Sequence, residues 1–172
     1  MLNVEAMEAQ APQRPAQPNE RTGAAEFVAF FAEGWAVGAT DPERFYAHFG
    51  GRMLPAAPMT QPLAAKVRGP AGLRELFDPL FRAMPDLRGD VVSWGETDTG
   101  VLVELRLHGT LADRAVAWTV VDRIDLEDGR IAGRHSYFDP APLVRALLSR
   151  PRASARLVRS LLRGRIKRKG DT

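Results

Sequence analysis

Between Val101 and Asp139 the chain alternates apolar and polar residues through three successive runs, and this stretch constrains the fold more than any other. Val101, Val103, Leu105 and Leu107 interleave with Leu102, Glu104, Arg106 and His108, which predicts a strand with one aliphatic and one ionisable face. In the next run Trp118, Val120 and Asp122 share a face, and Glu127-Asp128-Gly129-Arg130 carries the Asp-Gly signature of a tight hairpin into a third run ending at Tyr137-Phe138-Asp139. Where the Arg106/His108 face and the Trp118/Asp122 face coincide, such a sheet has a half-apolar, half-ionisable side suited to a pocket. Leu87 to Glu96, with Val91, Val92 and Trp94, predicts one more strand before the turn Asp98-Thr99-Gly100.

Helices are expected ahead of these strands. Thr22 is a candidate cap for a helix carrying Phe27, Val28, Phe30, Phe31, Trp35 and Val37, which Gly38 ends. Asp41-Pro42 starts a second through Phe45, Tyr46 and Phe49. Pro55, Pro58 and Pro62 restrict the segment from Met53 to Val67 to loop or edge strand. Gly69-Pro70 opens a third helix through Leu73, Leu76, Phe77, Leu80 and Phe81, with Pro79 predicting a kink or a split. Asp139-Pro140 caps a last helix through Leu143, Val144, Leu147 and Leu148. Helices followed by a hairpin-linked antiparallel sheet make an α+β fold, a cone-shaped curved sheet wrapped over N-terminal helices.

A chain of 172 residues fits one domain with its own core. The absence of cysteine excludes disulfide scaffolds, zinc–thiolate sites and cysteine nucleophiles. Residues 1–20, rich in Ala, Pro, Gln and Glu, read as a disordered leader, 21–148 as the domain, and 149–172 as a basic amphipathic tail. From Arg145 to Thr172 ten Arg or Lys face one acid, net +9, while the rest holds 14 basic and 20 acidic residues, net −6. The tail, with Leu157, Leu161, Leu162 and Ile166 on one side of a predicted helix, is therefore where an anionic membrane surface or partner would bind. No aromatic residues interleave its charges, which argues against nucleic acid. No apolar run approaches the roughly 20 residues of a bilayer span, and the first 20 residues lack a signal core, so a soluble cytoplasmic protein is expected.

Two motifs, Gly-Pro-Ala-Gly-Leu-Arg-Glu-Leu-Phe…Met-Pro-Asp-Leu and the closing Glu-Asp-Gly-Arg-Ile-Ala-Gly-Arg-His-Ser-Tyr-Phe-Asp-Pro, resemble the nuclear transport factor 2-like superfamily from about Ala24 to Leu148. More narrowly, the chain is similar to the SnoaL-like polyketide cyclases and limonene epoxide hydrolases of that superfamily, and less so to its ketosteroid isomerases. The resemblance implies the cone fold and a cofactor-independent isomerase, cyclase or hydrolase. Laid on the Asp-Arg-Asp set of the limonene epoxide hydrolases, this sequence has Arg106 at the Arg, His108 at the first Asp and Ser136 at the second, with Pro55 and Ala57 near their Tyr and Asn. Tyr46 or Asp122 can be nominated for the oxyanion and acid positions of the isomerases.

The expected catalytic set is therefore His108 as acid/base, Arg106 as oxyanion stabiliser and Asp122 as the group that orients them. Trp35, Tyr46, Met53, Trp118, Val120, Ser136 and Phe138 are expected to contact a hydrophobic, oxygenated small molecule. The alternative is a binding or assembly module whose interior is plugged by Trp118 and Phe138. His48 and His135 have no evident partners, and three scattered histidines predict no metal site. A homodimer through the outer face of the sheet is expected.

Overall fold

The computed structural model describes residues 18–148 apart from residue 112, with side chains from 23 to 146. Most of the leader and the basic tail of 149–172, with the membrane contact expected there, lie outside the described residues.

Helix α1 spans Pro18–Val37, so it starts ahead of the expected cap and Thr22 falls within it. Proline near the first turn needs no hydrogen bond and already has a helical φ. Phe27, Phe31 and Trp35, one turn apart, are all buried on its inner side. A single 3-10 turn at Gly38–Thr40 leads into α2, Pro42–Gly51, whose N-terminus is capped by Asp41 Oδ1 accepting from the amide of Arg44 at 3.1 Å. Helix α3, Gly69–Ala83, contains Pro79 without being split by it. Its entry needs glycine: Gly69 has φ +61°, and a Cβ there would meet the carbonyl oxygen of Pro55 at 2.2 Å.

The six strands are β1, Pro58–Thr60; β2, Val67–Arg68; β3, Arg88–Thr97; β4, Gly100–Leu111; β5, Arg114–Glu127; and β6, Arg130–Tyr137. They form one curved, unclosed sheet in the order β2-β1-β6-β5-β4-β3. All pairs are antiparallel except β1 with β6. The proline-rich segment thus adds two short strands at the sheet margin, with Pro58 at a first-residue position that needs no ladder donor. Asp128 and Gly129 both have positive φ, 50° and 71°, as a two-residue hairpin turn requires. Helix α4, Ala141–Leu148, packs on β5 and β4, and Asp139 Oδ1 accepts from the amide of Ala141 at its start.

Alternation along β4 sorts its faces without exception over the central residues: Val101, Val103, Leu105 and Leu107 are buried, and Leu102 and Arg106 are exposed. The buried set joins Phe27, Phe31 and Trp35 of α1, Phe45 and Phe49 of α2, and Phe77 and Phe81 of α3 in one core. Phe45 is its hub, with ring centroids of Trp35, Tyr46, Phe49, Phe77 and Phe81 between 4.8 and 5.7 Å away.

The end of β4 is held to the loop before β3 by Asp86, which accepts from the amide of Thr110 at 2.8 Å and from its hydroxyl at 2.7 Å. These bonds favour the carboxylate and hold Asp86 below its ordinary value of 3.8. A folded-state value below the unfolded one contributes stability above about pH 4, which is lost as pH falls through the lower folded value. Asp86→Asn is therefore expected to lower the urea midpoint at pH 7, with the difference from the parent protein shrinking on titration toward pH 3.

Candidate functional site

On the inner face of the sheet, amid this aromatic core, lies one charged pair. Arg134 on β6 donates from Nε to Oδ2 of Asp122 on β5 at 2.8 Å. Its NH1 donates to Oε1 of Gln61, just after β1, at 3.3 Å, and its guanidinium carbon lies 5.5 Å from the ring centre of Phe77. Asp122 is 0% exposed and Arg134 9%, so both charges are largely removed from water. Such a pair persists only where hydrogen bonds compensate its desolvation. Ser136, two residues beyond Arg134 and directly across from Asp122 in the register, is 1% exposed. Asp122 Oδ1 and Ser136 Oγ are both buried with no hydrogen-bond partner among the described residues.

Arg134 also forms part of the wall of an internal cavity, with Phe31, Trp35, Phe45, Phe49, Met53, Leu73, Phe77, Ile124 and Ile131. Its volume is about 20 Å³, room for about one water molecule. The interior is thus filled by the aromatic side chains of α1, α2 and α3.

The residues expected in a pocket are distributed differently. Arg106 and His108 point away from the helices: they pair with Thr119 and Ala117, whereas Asp122 pairs with Val103 and Trp118 with Leu107 on the opposite face. The two faces do not coincide, because directly paired residues share a face and Asp122 is offset by an odd number from both partners of Arg106 and His108. His108 instead lies at the surface, Nδ1 3.4 Å from Oδ2 of Asp90, with side chains 45% and 73% exposed. Asp122 therefore lies on the opposite face of the sheet from both residues and does not orient either; its partner is Arg134.

Trp35 and Met53 do line the cavity. Tyr46 is buried but faces elsewhere, donating its hydroxyl to Asp78 Oδ1 at 2.6 Å and lying under the Arg74 guanidinium at 4.4 Å. Burial and the Asp78 carboxylate push its phenol well above the ordinary value, which suits a structural link rather than a proton donor. Val120 and Trp118 are buried on the inner face, and Phe138 packs against the core, without lining the cavity. The other histidines have partners after all: His48 Nε2 lies 2.8 Å from the carbonyl of Phe30, and His135 Nδ1 lies 2.6 Å from Thr60 Oγ1. Among the described residues no three His, Cys, Asp or Glu side chains gather to hold an ion.

Arg134 and Gln61 were not among the expected site residues. The signal for Arg134 is its spacing of two from Ser136, which places both on one face of the strand. The exposed His108–Asp90 pair contributes little and Arg106 is exposed on the outer face, so His108→Ala and Arg106→Ala are each expected to change the unfolding free energy by less than about 0.5 kcal/mol in urea titrations.

The sequence profile of the SnoaL-like domain family matches residues 36–134. No curated protein matches the chain. Among solved structures, a protein of Jannaschia sp. CCS1 described provisionally as a SnoaL-like polyketide cyclase is similar, with a TM-score of 0.65 at 21% identity over 78% of this chain and 96% of the other. An epoxide hydrolase of M. tuberculosis, likened to the limonene enzymes, has a TM-score of 0.55 at 18% identity over 74% and 91% of the two chains. A nuclear transport factor 2-like protein of unknown function from Burkholderia pseudomallei K96243 has 0.62 at 16% identity over 72% and 96%. At these identities the likeness is one of fold, the open cone described above. No helix among the described residues is long and apolar enough to cross a membrane.

Proposed function

The chain belongs to the SnoaL-like domain family, and from that premise we propose that it is a cofactor-independent enzyme moving a proton on a small, hydrophobic, oxygenated molecule of polyketide- or terpene-like kind. Asp122 is the base. One observation carries this reading: a wholly buried carboxylate has one oxygen fixed by Arg134 and the other without a partner among the described residues. A buried acceptor left unpaired by its own protein is costly unless something else binds it. Arg134, held by Asp122 and Gln61, would keep the carboxylate oriented and stabilise negative charge developing on a substrate oxygen at the cavity wall. TerC, a protein of the same fold, has been crystallised with polyporic acid, which supports a small-molecule reading.

A substrate larger than water requires the aromatic lining to yield, since the cavity holds only about 20 Å³. That same filled interior favours a second reading, a binding or assembly module without chemistry. Its surface would be the outer sheet face, where Leu102 and Tyr137 stay exposed and where self-association would occur. Turnover of a panel of hydrophobic ketones, epoxides and phenols separates the two. The enzyme reading expects at least one to turn over and Asp122→Asn to slow it by at least about a hundredfold. No turnover by the parent protein, or an Asn variant as fast, leaves the module.

A further inference from the structure

Asp122 and Ser136 are cross-strand partners, so their side chains leave the sheet side by side on its inner face. They do not hydrogen-bond to each other, and each keeps a buried oxygen without a partner among the described residues. We infer that Asp122 Oδ1 and Ser136 Oγ together form a binding site for one hydroxyl-type oxygen, filled by a water in the free protein and by a ligand hydroxyl in the complex. The inference rests on the reading of this site as the one that meets substrate, and it names the functional group that site selects.

The chemistry follows from what each atom can do. A carboxylate engaged by a guanidinium only accepts hydrogen bonds, so whatever meets Oδ1 must donate. Ser136 can give its proton to the same oxygen or accept from it. A ketone, ether or epoxide oxygen has no proton to offer Oδ1. A second carboxylate would set two anions together beside one guanidinium already used by Asp122. An alcohol, phenol or enol meets both demands, and so does water. The cavity that Arg134 helps to line, about 20 Å³ and otherwise walled by apolar side chains, does not have Asp122 or Ser136 in its wall, and it is too small for a ligand body. A hydroxyl donating to Oδ1 is also the proton the base would take, so recognition and proton transfer use one bond.

Two measurements on the full chain test this. A crystal structure at a resolution that shows ordered solvent is expected to place one oxygen within hydrogen-bond distance of both Asp122 Oδ1 and Ser136 Oγ. An empty space there, or a direct bond between the two side chains, overturns the inference. Calorimetric titration with phenol and with anisole, which differ by the hydroxyl proton and a methyl group, is expected to give at least tenfold tighter binding of phenol. In Ser136→Ala that preference should fall severalfold. Equal binding of the two, binding of neither, or an unchanged preference in the Ala variant overturns the ligand half. Neither readout depends on turnover: a bridging oxygen and phenol selectivity together with an Asp122→Asn variant of full activity would sink the catalytic reading and leave the hydroxyl site standing.

Discussion

Arg134→Ala is expected to destabilise the protein by about 3–5 kcal/mol, the cost of leaving a buried charge without its partner. Asp122 is 0% exposed and receives its hydrogen bond from Arg134 Nε, with Oδ1 already lacking a partner among the described residues. Removing the guanidinium strips the remaining oxygen as well and frees Gln61. The loss should appear as a large drop in the urea midpoint with an unchanged slope. The double variant Asp122→Leu/Arg134→Leu removes both charges and should recover most of the loss, because a buried ion pair contributes little over apolar groups of similar volume. The two results together separate a pair kept for its chemistry from one the fold needs. A single variant costing less than about 1 kcal/mol would mean that water reaches Asp122 and that the site is not sealed.

This pair is also where the sequence becomes hard to read. The strands, the Asp128-Gly129 turn, the Asp41 and Asp139 caps and the aliphatic face of β4 all announce themselves by local pattern, because propensity and alternation act over a few residues. The site depends instead on one irregularity. With unbroken register from the two-residue turn, Asp122 would sit opposite His135; a bulge between Asp125 and Leu126 advances the pairing by one and sets it opposite Ser136. Counting in twos from buried Ile131 would likewise turn Arg134 and Ser136 outward, and the bulge turns them in. A bulge has no dependable sequence mark, so Asp122 could be nominated as an ionisable group in an aliphatic strand while Arg134 could not be assigned as its partner. The Arg106/His108 face failed for a related reason. Two strands each showing a polar and an apolar face do not reveal which faces align until the register of the β4–β5 pair is known, and that register sets both residues on the outer surface.

Phe45→Ala is expected to cost about 3–5 kcal/mol, as deletion of a buried aromatic side chain does when its surroundings cannot collapse. Collapse is hindered here, since the Phe45 ring touches five other aromatic rings drawn from three helices, each fixed by its own packing. The vacated space adjoins the cavity that Phe45 itself helps to line, so truncation would join the two into a single chamber beside Arg134. An apolar chamber of that kind binds small aromatic molecules, and a ligand that binds only the folded state raises its melting temperature with concentration. Benzene is therefore expected to raise the melting temperature of Phe45→Ala and to leave that of the parent protein unchanged. Such a result would identify the aromatic plug, rather than the chemistry of Asp122 and Arg134, as the element that governs entry, and a substrate would then need only to displace side chains already poised around the site. A benzene-induced rise of equal size in the parent protein would show that its interior opens without help. No rise in either protein would mean that the helices close over the gap, and the interior would then be a core whose ion pair serves the fold alone.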